Sequence, residues 1–303
     1  MNPIHCVESK GPWPFVTQRV MAGVDGARQI WSSRHHRKGL RVPEESGTLG
    51  TGSFQRELVS GWRWLWMPQH LNWWIGFLFA VGALCFAAAS SLSLLPSIAS
   101  QWQINPGAIN RLFFIGSIPF TSAAYLQLFQ AANAADPPRA TPSQSLPKPR
   151  RRHVFGWRPG DIGWISCVLQ FIGTLLFNVN TFDAMLPSLD WFQSDLLVWV
   201  PNLVGSVLFL VSGYLAFIEV CHAHWGWHPR QIGWCVAFIN LIGCVGFMIS
   251  AACALFLPGD SHNELARLAL LFTLIGAIGF FGGALLMQIE STQNAGPPNA
   301  SNH

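Results

Sequence analysis

The sequence predicts an all-α, polytopic membrane protein whose six transmembrane helices form three repeated two-helix hairpins. Half of its 303 residues are hydrophobic and 11% are charged, whereas soluble domains carry roughly 25% charged residues. Six apolar windows have the length of about 20 residues that a helix needs to cross a bilayer. One short motif also occurs three times, each time directly ahead of a long apolar run.

The six windows cover roughly residues 71 to 95, 112 to 132, 161 to 181, 200 to 221, 231 to 256 and 265 to 289. Residues 1 to 65 contain no such window, and Glu8 and Asp25 interrupt the first 30 residues. A cleaved signal peptide is therefore not expected, and the first transmembrane helix is expected to direct insertion.

The repeated motif reads Trp, any residue, Pro, two further residues, Ile or Leu, Gly or Asn, and Trp. Proline lacks an N–H and suits the first turn of a helix, and tryptophan favours the level of the lipid headgroups. The motif is therefore interpreted as a structural anchor at the start of each hairpin. Its anchor residues are Trp66, Pro68 and Trp73; Trp157, Pro159 and Trp164; and Trp227, Pro229 and Trp234.

Both helices of each hairpin carry equivalent positions. The first helices share a Gly nine residues after the motif (Gly82, Gly173, Gly243) and a Phe four residues later. The second helices share Gly (Gly116, Gly205, Gly276), Phe four residues on, and an amide or acid at fourteen (Gln130, Glu219, Glu290). Small residues allow helices to approach closely in lipid, so these stripes predict packing seams. The units are 66–130, 157–219 and 227–290, related by a threefold axis along the membrane normal or placed in a linear row.

The distribution of Lys and Arg predicts the orientation. Nine of the eighteen lie in residues 1–70, six in residues 131–160 and one in the turn at 222 to 230, whereas only Arg111 and Arg267 lie on the opposite side. Positive loops stay cytoplasmic, so both termini are expected inside, most simply at the plasma (inner) membrane. The net charge of +4 reflects this topology, so no nucleic-acid partner is expected.

Three segments outside the hairpins are expected to be mostly disordered: a basic leader (1–65), a Pro- and Arg-rich linker (131–156) and a tail (291–303). Within the leader, a stripe of Val16, Val20, Val24, Ala27 and Trp31 offers a short membrane-surface helix as an alternative. The basic run at 35–38 and the linker are expected to face anionic lipid headgroups. The oligomeric state is left open.

Intramembrane amides are the first candidates for a solute path, because polar groups are expensive in lipid. Gln170 and Asn240 lie six residues after their motifs, where the first hairpin has Phe79. They predict a polar site between the hairpins, with ordinary interhelical hydrogen bonds as the alternative. Asn178, near the outer end of its helix, is a further path candidate or a cap.

A second cluster combines Glu219 with His222, which share one helical face at the i, i+3 spacing found in carboxylate metal sites. The alternative is a solvated helix end, shared by Glu219 and Glu290. No catalytic residues and no cofactor are expected. The seven cysteines lie mostly inside predicted helices and lack a paired set in the outer loops, which argues against a disulfide framework.

The segments Phe114-Ile115-Gly116-Ser117 and Leu203-Val204-Gly205-Ser206 each lead a second helix. In this respect the hairpins resemble those of the YrhK-like integral membrane proteins. The resemblance covers the hairpin cores and implies a membrane location, and that family has no assigned activity. Three functions follow from the sequence: a small-solute or ion transporter or channel, a non-catalytic membrane scaffold or assembly factor, and a metal- or haem-binding membrane protein.

Overall fold

The computed structural model describes residues 5–22, 28–40, 64–134, 152–186, 189–255 and 263–294. Within these ranges six helices are long and apolar enough to cross a bilayer, which confirms the predicted helical membrane class. They are α2 (Leu71–Leu94), α4 (Pro106–Ala132), α5 (Ile162–Asp183), α6 (Trp191–Cys221), α7 (Ile232–Cys253) and α8 (Asn263–Glu290). Two short helices join them: α1 (Ser33–Lys38) in the leader and α3 (Pro96–Gln101) after α2.

Two of the six helices begin well before their apolar windows. Helix α4 starts at Pro106, where the Asn105 side chain accepts a hydrogen bond from the Ala108 N–H at 2.8 Å. Helix α6 starts at Trp191 behind a capping box formed by Asp190 and Gln193, and it passes through a π-helical stretch, Asp195–Trp199. Polar caps satisfy the free N–H groups of the first turn, so each helix extends beyond its apolar run.

The six long helices form a closed ring. Each packs mainly on its two neighbours in chain order, and α8 returns to pack on α2. The linear row is therefore wrong. The ring has a motif end, where the three Trp and Pro motifs precede α2, α5 and α7, and a far end that carries α3.

The predicted seams lie within the hairpins. Gly82, Gly173 and Gly243 each face the ring of a phenylalanine on the following long helix, and a Cβ at Gly173 would lie 2.7 Å from Phe209 Cδ2. The paired rings belong to Phe120, Phe209 and Phe280. Together with Phe86 and Phe247 they form a buried aromatic core, with centroid separations such as 5.7 Å between Phe209 and Phe280. Glycine is required at the seam because any side chain there would displace an aromatic ring.

The described part of the leader is folded, which corrects the expectation of disorder or of a surface helix. Strands β1 (His5–Lys10), β2 (Gln18–Ala22) and β3 (Arg28–Ser32) form an antiparallel sheet in that order. Arg19 pairs with Trp31 and Val20 with Ile30, so Val20 and Trp31 point to opposite faces and do not share a stripe. Val24 and Ala27, two further members of the predicted stripe, lie outside the described residues. Met21 and Trp31 are buried on one face, and their burial provides the contact that a helix here would lack.

The linker and tail predictions fall largely on residues 135–151 and 295–303, outside the described residues. At the linker's two ends, Asn133 exchanges hydrogen bonds with the backbone of His153, at 2.7 Å and 2.9 Å. This pair joins the end of α4 to the approach of α5. The first turn after α8, Ser291–Asn294, is a 3₁₀ helix.

Candidate functional site

The three motifs adopt one geometry at the motif end. In each, the first Trp meets the second edge to face, with centroid separations of 5.6, 5.5 and 4.9 Å. The second Trp is buried and donates its indole N–H to a backbone carbonyl ahead of the helix: Trp73 to Trp64, Trp164 to Phe155, and Trp234 to Gly226. The exposed first Trp and the buried second Trp together pin each helix start.

The motif proline lies outside the helix, which corrects the expectation of a first-turn position. The N–H of His70, Asp161 and Gln231 donates to the carbonyl three residues earlier, which closes a turn with Pro68, Pro159 or Pro229 at its second position. Proline favours that position because its φ is already set. Each helix begins immediately after the turn.

Helix α1 lies across the motif end of the ring, in contact with α4, α5 and α6. It follows β3 directly and stops at Gly39, whose φ of +66° is the left-handed conformation that glycine adopts readily. The sheet holds its start, since Ser33 N–H donates to the Thr17 carbonyl and Thr17 Oγ1 lies 2.8 Å from His222 Nδ1. The described part of the leader, residues 5–22 and 28–40, therefore forms a folded cap on the bundle.

Three cations of α1 are buried against two membrane-helix carboxylates. Arg37 Nη2 donates to Glu219 Oε2 at 2.6 Å, and Ser33 Oγ donates to Glu219 Oε1 at 2.7 Å. Arg34 forms a bidentate ion pair with Glu290, and Lys38 Nζ donates to Glu290 Oε2 at 2.7 Å. Bidentate and charge-assisted bonds of this kind are the strong ones.

These contacts overturn two expectations. Glu219 is 0% and Glu290 1% exposed, so neither is a solvated helix end. Arg37 and Lys38 are also buried, so within the described residues of the basic run these two side chains face the protein interior and not lipid headgroups. Buried charges require partners, and each group here has found one of opposite sign.

The motif glycines make room for the ion pairs. A Cβ at Gly163 would lie 2.6 Å from Arg37 Nε and 2.8 Å from Glu219 Oε1, and one at Gly233 would lie 2.7 Å from Arg34 Nη1. The first hairpin has Asn72 at this position, and its amide donates to Met287 O and Ser291 Oγ. Hairpins two and three thus carry both a motif glycine and a buried glutamate. Hairpin one has an amide side chain at each of these positions, Asn72 and Gln130.

Burial is the main cause of the lowered pKa values in and beside the cap. It lowers the pKa of Lys38 to about 8, reinforced by neighbouring Arg34, and Glu290 opposes the shift. It lowers the pKa of His35 to about 4, reinforced by Arg34, and it lowers the pKa of His222. Arg37 has its pKa raised despite burial because Glu219 stabilises its charge.

Beneath the cap, a cavity of about 70 Å³ lies between the hairpins. Gln170 and Asn240 both line it, and so does Phe79, the residue that the first hairpin has at their position. Neither amide is hydrogen-bonded to another residue in the part of the chain that the structure describes. The interhelical bonds proposed as the alternative for this pair are therefore not formed there.

The cavity wall is polar on the cap side and apolar beyond it. Gln127 also lines it, together with Ser166 and Ser212, whose hydroxyls lie 3.1 Å apart. The cavity is also lined by Phe79 and by two rings of the aromatic core, Phe209 and Phe280. Arg34, Arg37 and Lys38 are lining residues as well, so the cap and the cavity form one site.

Asn178 does not line this cavity. Its Nδ2 donates to Thr121 Oγ1 at 2.9 Å, which makes it a contact between α5 and α4. The predicted metal site is not formed by Glu219 and His222. Both carboxylate oxygens of Glu219 accept hydrogen bonds from Arg37 and Ser33, and His222 Nδ1 lies beside Thr17 Oγ1. Among the described residues, no group of three or more His, Cys, Asp or Glu side chains converges.

Sequence reasoning missed the cap residues Arg34, Arg37 and Lys38. A signal was present: two arginines three residues apart precede a bundle with two acids at one repeated position. Comparison with protein-family models, curated proteins and solved structures finds no match. The site is interpreted from its own geometry.

Proposed function

We propose that this integral membrane protein is a small-solute or ion transporter or channel, whose solute site is the cavity under α1. The observation that carries this proposal is that Gln170 and Asn240 line one central cavity with amide groups that no described residue engages. Unsatisfied polar groups in a membrane interior are costly, and they are retained where they contact a solute.

The ring supports an arrangement of three copies of one hairpin about an axis along the membrane normal. The recurring glycine and phenylalanine contacts and the three equivalent tryptophan pairs favour this interpretation. Sites between parallel repeats are a common plan in transporters. The charge bias puts the cap on the cytoplasmic side of a plasma membrane in this proposal, and membership of the YrhK-like family rests on the hairpin residues.

The cap helix is the proposed gate. It closes the motif end of the cavity through the two carboxylates, and the aromatic core borders the other side. A scaffold that captures partners or lipid through its basic leader would need those charges free. Arg34, Arg37 and Lys38 are instead buried in ion pairs within the protein, which favours the gate.

The proposal is tested by solute flux into proteoliposomes made with the full-length protein. Glu219→Gln combined with Glu290→Gln leaves buried cations without counter-charges, at a cost of about 3–5 kcal/mol for each broken pair, and is expected to release the cap. Flux should rise at least severalfold over wild type, and adding Gln170→Leu and Asn240→Leu should remove the gain.

Glu264→Gln is the matched control, because Glu264 is an exposed acid at the opposite end of α8 from Glu290. Its flux should equal that of wild type. If the folded double-glutamine variant passes no anion, cation or neutral solute faster than empty liposomes, the transport proposal fails.

A further inference from the structure

The charged side chains on the cavity wall all have one sign. Among the described residues that line it, Arg34, Arg37 and Lys38 are the charged ones, and all three are cations. Glu219 and Glu290, their partners, are not lining residues. The field inside the cavity is therefore positive, because the nearest charges to a solute are the cations.

The carboxylates that balance these cations lie outside the cavity wall. Three cations share two carboxylates. A third carboxylate, Asp161, also stabilises the charge of Arg37, and its Oδ1 accepts the N–H groups of Gly163 and Trp164. His35 and His222 add no charge at pH 7, since burial lowers both pKa values. None of these three carboxylates lines the cavity, whereas all three cations do.

Several donors on residues that line the cavity lack acceptors. Arg37 Nε is buried and has no hydrogen-bond partner among the described residues. Lys38 uses one of its three N–H groups, toward Glu290, in the described part of the chain. The amides of Gln170 and Asn240 add two NH₂ groups that can turn toward a bound acceptor.

The size and walls of the cavity restrict the ligand. A water needs roughly 10–15 Å³ of such volume, so about 70 Å³ holds a few waters or a small ion with a partial hydration shell. Phe79, Phe209 and Phe280 supply no donors for a highly charged oxyanion. Resting on the proposed function, we infer that the solute of this cavity is a small monovalent anion, of the class of chloride or nitrate.

Anion binding is tested on the full-length protein in lipid nanodiscs. The thermal midpoint is measured in sodium chloride and in sodium nitrate, each against sodium gluconate at equal ionic strength. An anion that binds the folded state alone stabilises it by RT ln(1 + [L]/Kd), so chloride or nitrate should raise the wild-type midpoint. Gln170→Leu with Asn240→Leu should lose at least half of that increment.

Asn178→Leu is the matched control, because it removes an amide from the same helix as Gln170 but outside the cavity. It should keep the full increment, and general salt effects cancel in the comparison. Arg37→Lys keeps the charge and removes the unpartnered Nε–H, and should weaken the increment. Equal increments in wild type and the cavity double variant would overturn the inference.

Flux separates this inference from the transport proposal. Selective passage of chloride or nitrate over potassium and over neutral solutes supports both. Passage of potassium or a neutral solute, with no anion increment in the midpoint, overturns the anion class and leaves transport standing. A chloride or nitrate increment in a protein that passes no solute supports the anion site and overturns transport.

Discussion

Single residues at the motif end show how small differences between similar hairpins build the site. Gly163 and Gly233 leave space that the guanidinium groups of Arg37 and Arg34 occupy, and each lies beside an acid. The first hairpin carries Asn72 instead, and its Gln130 has a buried Oε1 without a partner among the described residues. Position by position, the three hairpins therefore differ where the cap binds.

Gly163→Ala is expected to weaken the docking of α1. Its Cβ would lie 2.6 Å from Arg37 Nε, and overpacking of this kind costs about 1–3 kcal/mol. The thermal midpoint of the protein in nanodiscs should fall. Gly160→Ala, in the same motif and with no heavy atom within 4 Å, should leave the midpoint unchanged. Equal midpoints for the two variants would contradict the packing account.

The amides could be predicted as a pair, but their surroundings could not. Spacing from the motif placed Gln170, Asn240 and Phe79 at one level of three helices, since a helix rises 1.5 Å per residue. Which faces point inward depends on the rotation of each helix in the ring, and local sequence leaves that rotation open. Asn178 illustrates the gap: its side chain contacts Thr121 and not the cavity.

Helix α1 is the element that joins the leader to the bundle. It has six residues, too few to be stable alone in water, and its order comes from the sheet before it and the ion pairs below it. By composition, its basic residues are expected to face anionic lipid headgroups. Only the two carboxylates, more than 180 positions away in sequence, make their burial favourable.

Acidification is expected to destabilise the docked cap. Burial lowers the pKa of His35 to about 4, below its ordinary value of 6.5, and Arg34, Lys38 and His222 also oppose its charge, whereas Glu290 favours it. The unfolded segment therefore binds more protons between these values, and stability is lost as the pH falls through that window. The loss between pH 7 and pH 5 should be about 2 kcal/mol.

The measurement is the thermal midpoint from pH 7.5 to pH 5, compared with His35→Gln, which cannot titrate. The variant should show a weaker pH dependence, with the remainder assigned to His222, whose pKa is also lowered by burial. A pH profile that is identical in the two proteins would exclude His35 as the titrating group.

The whole molecule is a ring closed at one end by its own leader. Six helices enclose a core that is aromatic toward the far end and polar near the motif end, and the cap covers the polar part. This division has a physical basis: in lipid, close helix packing through glycine and phenylalanine holds the ring together, while the polar cavity depends on the cap for its counter-charges.

Release of the cap should make the cavity accessible to water. Cys167 lines the cavity, is buried, and receives a weak hydrogen bond from Arg37 Nη1 at 3.7 Å. A water-soluble maleimide should therefore label Cys167 at least tenfold faster in the Glu219→Gln, Glu290→Gln protein than in wild type. Peptide mass spectrometry measures the labelled fraction, and Glu264→Gln should label at the wild-type rate. Equal rates in all three would show that α1 does not control access.

The sequence by itself determined the membrane class, six helices, four of them with nearly correct bounds, the tryptophan anchors and seams of each hairpin, and the pair of amides at one level. These features follow from the composition of each segment and from the spacing of residues along one helix. Only the tertiary structure decided the closed ring, the folded leader and the burial of Arg34, Arg37 and Lys38 against Glu219 and Glu290. The reason is electrostatic: a charge is buried only where a partner of opposite sign lies beside it. Here that partner is distant in the chain, so the local sequence does not reveal it.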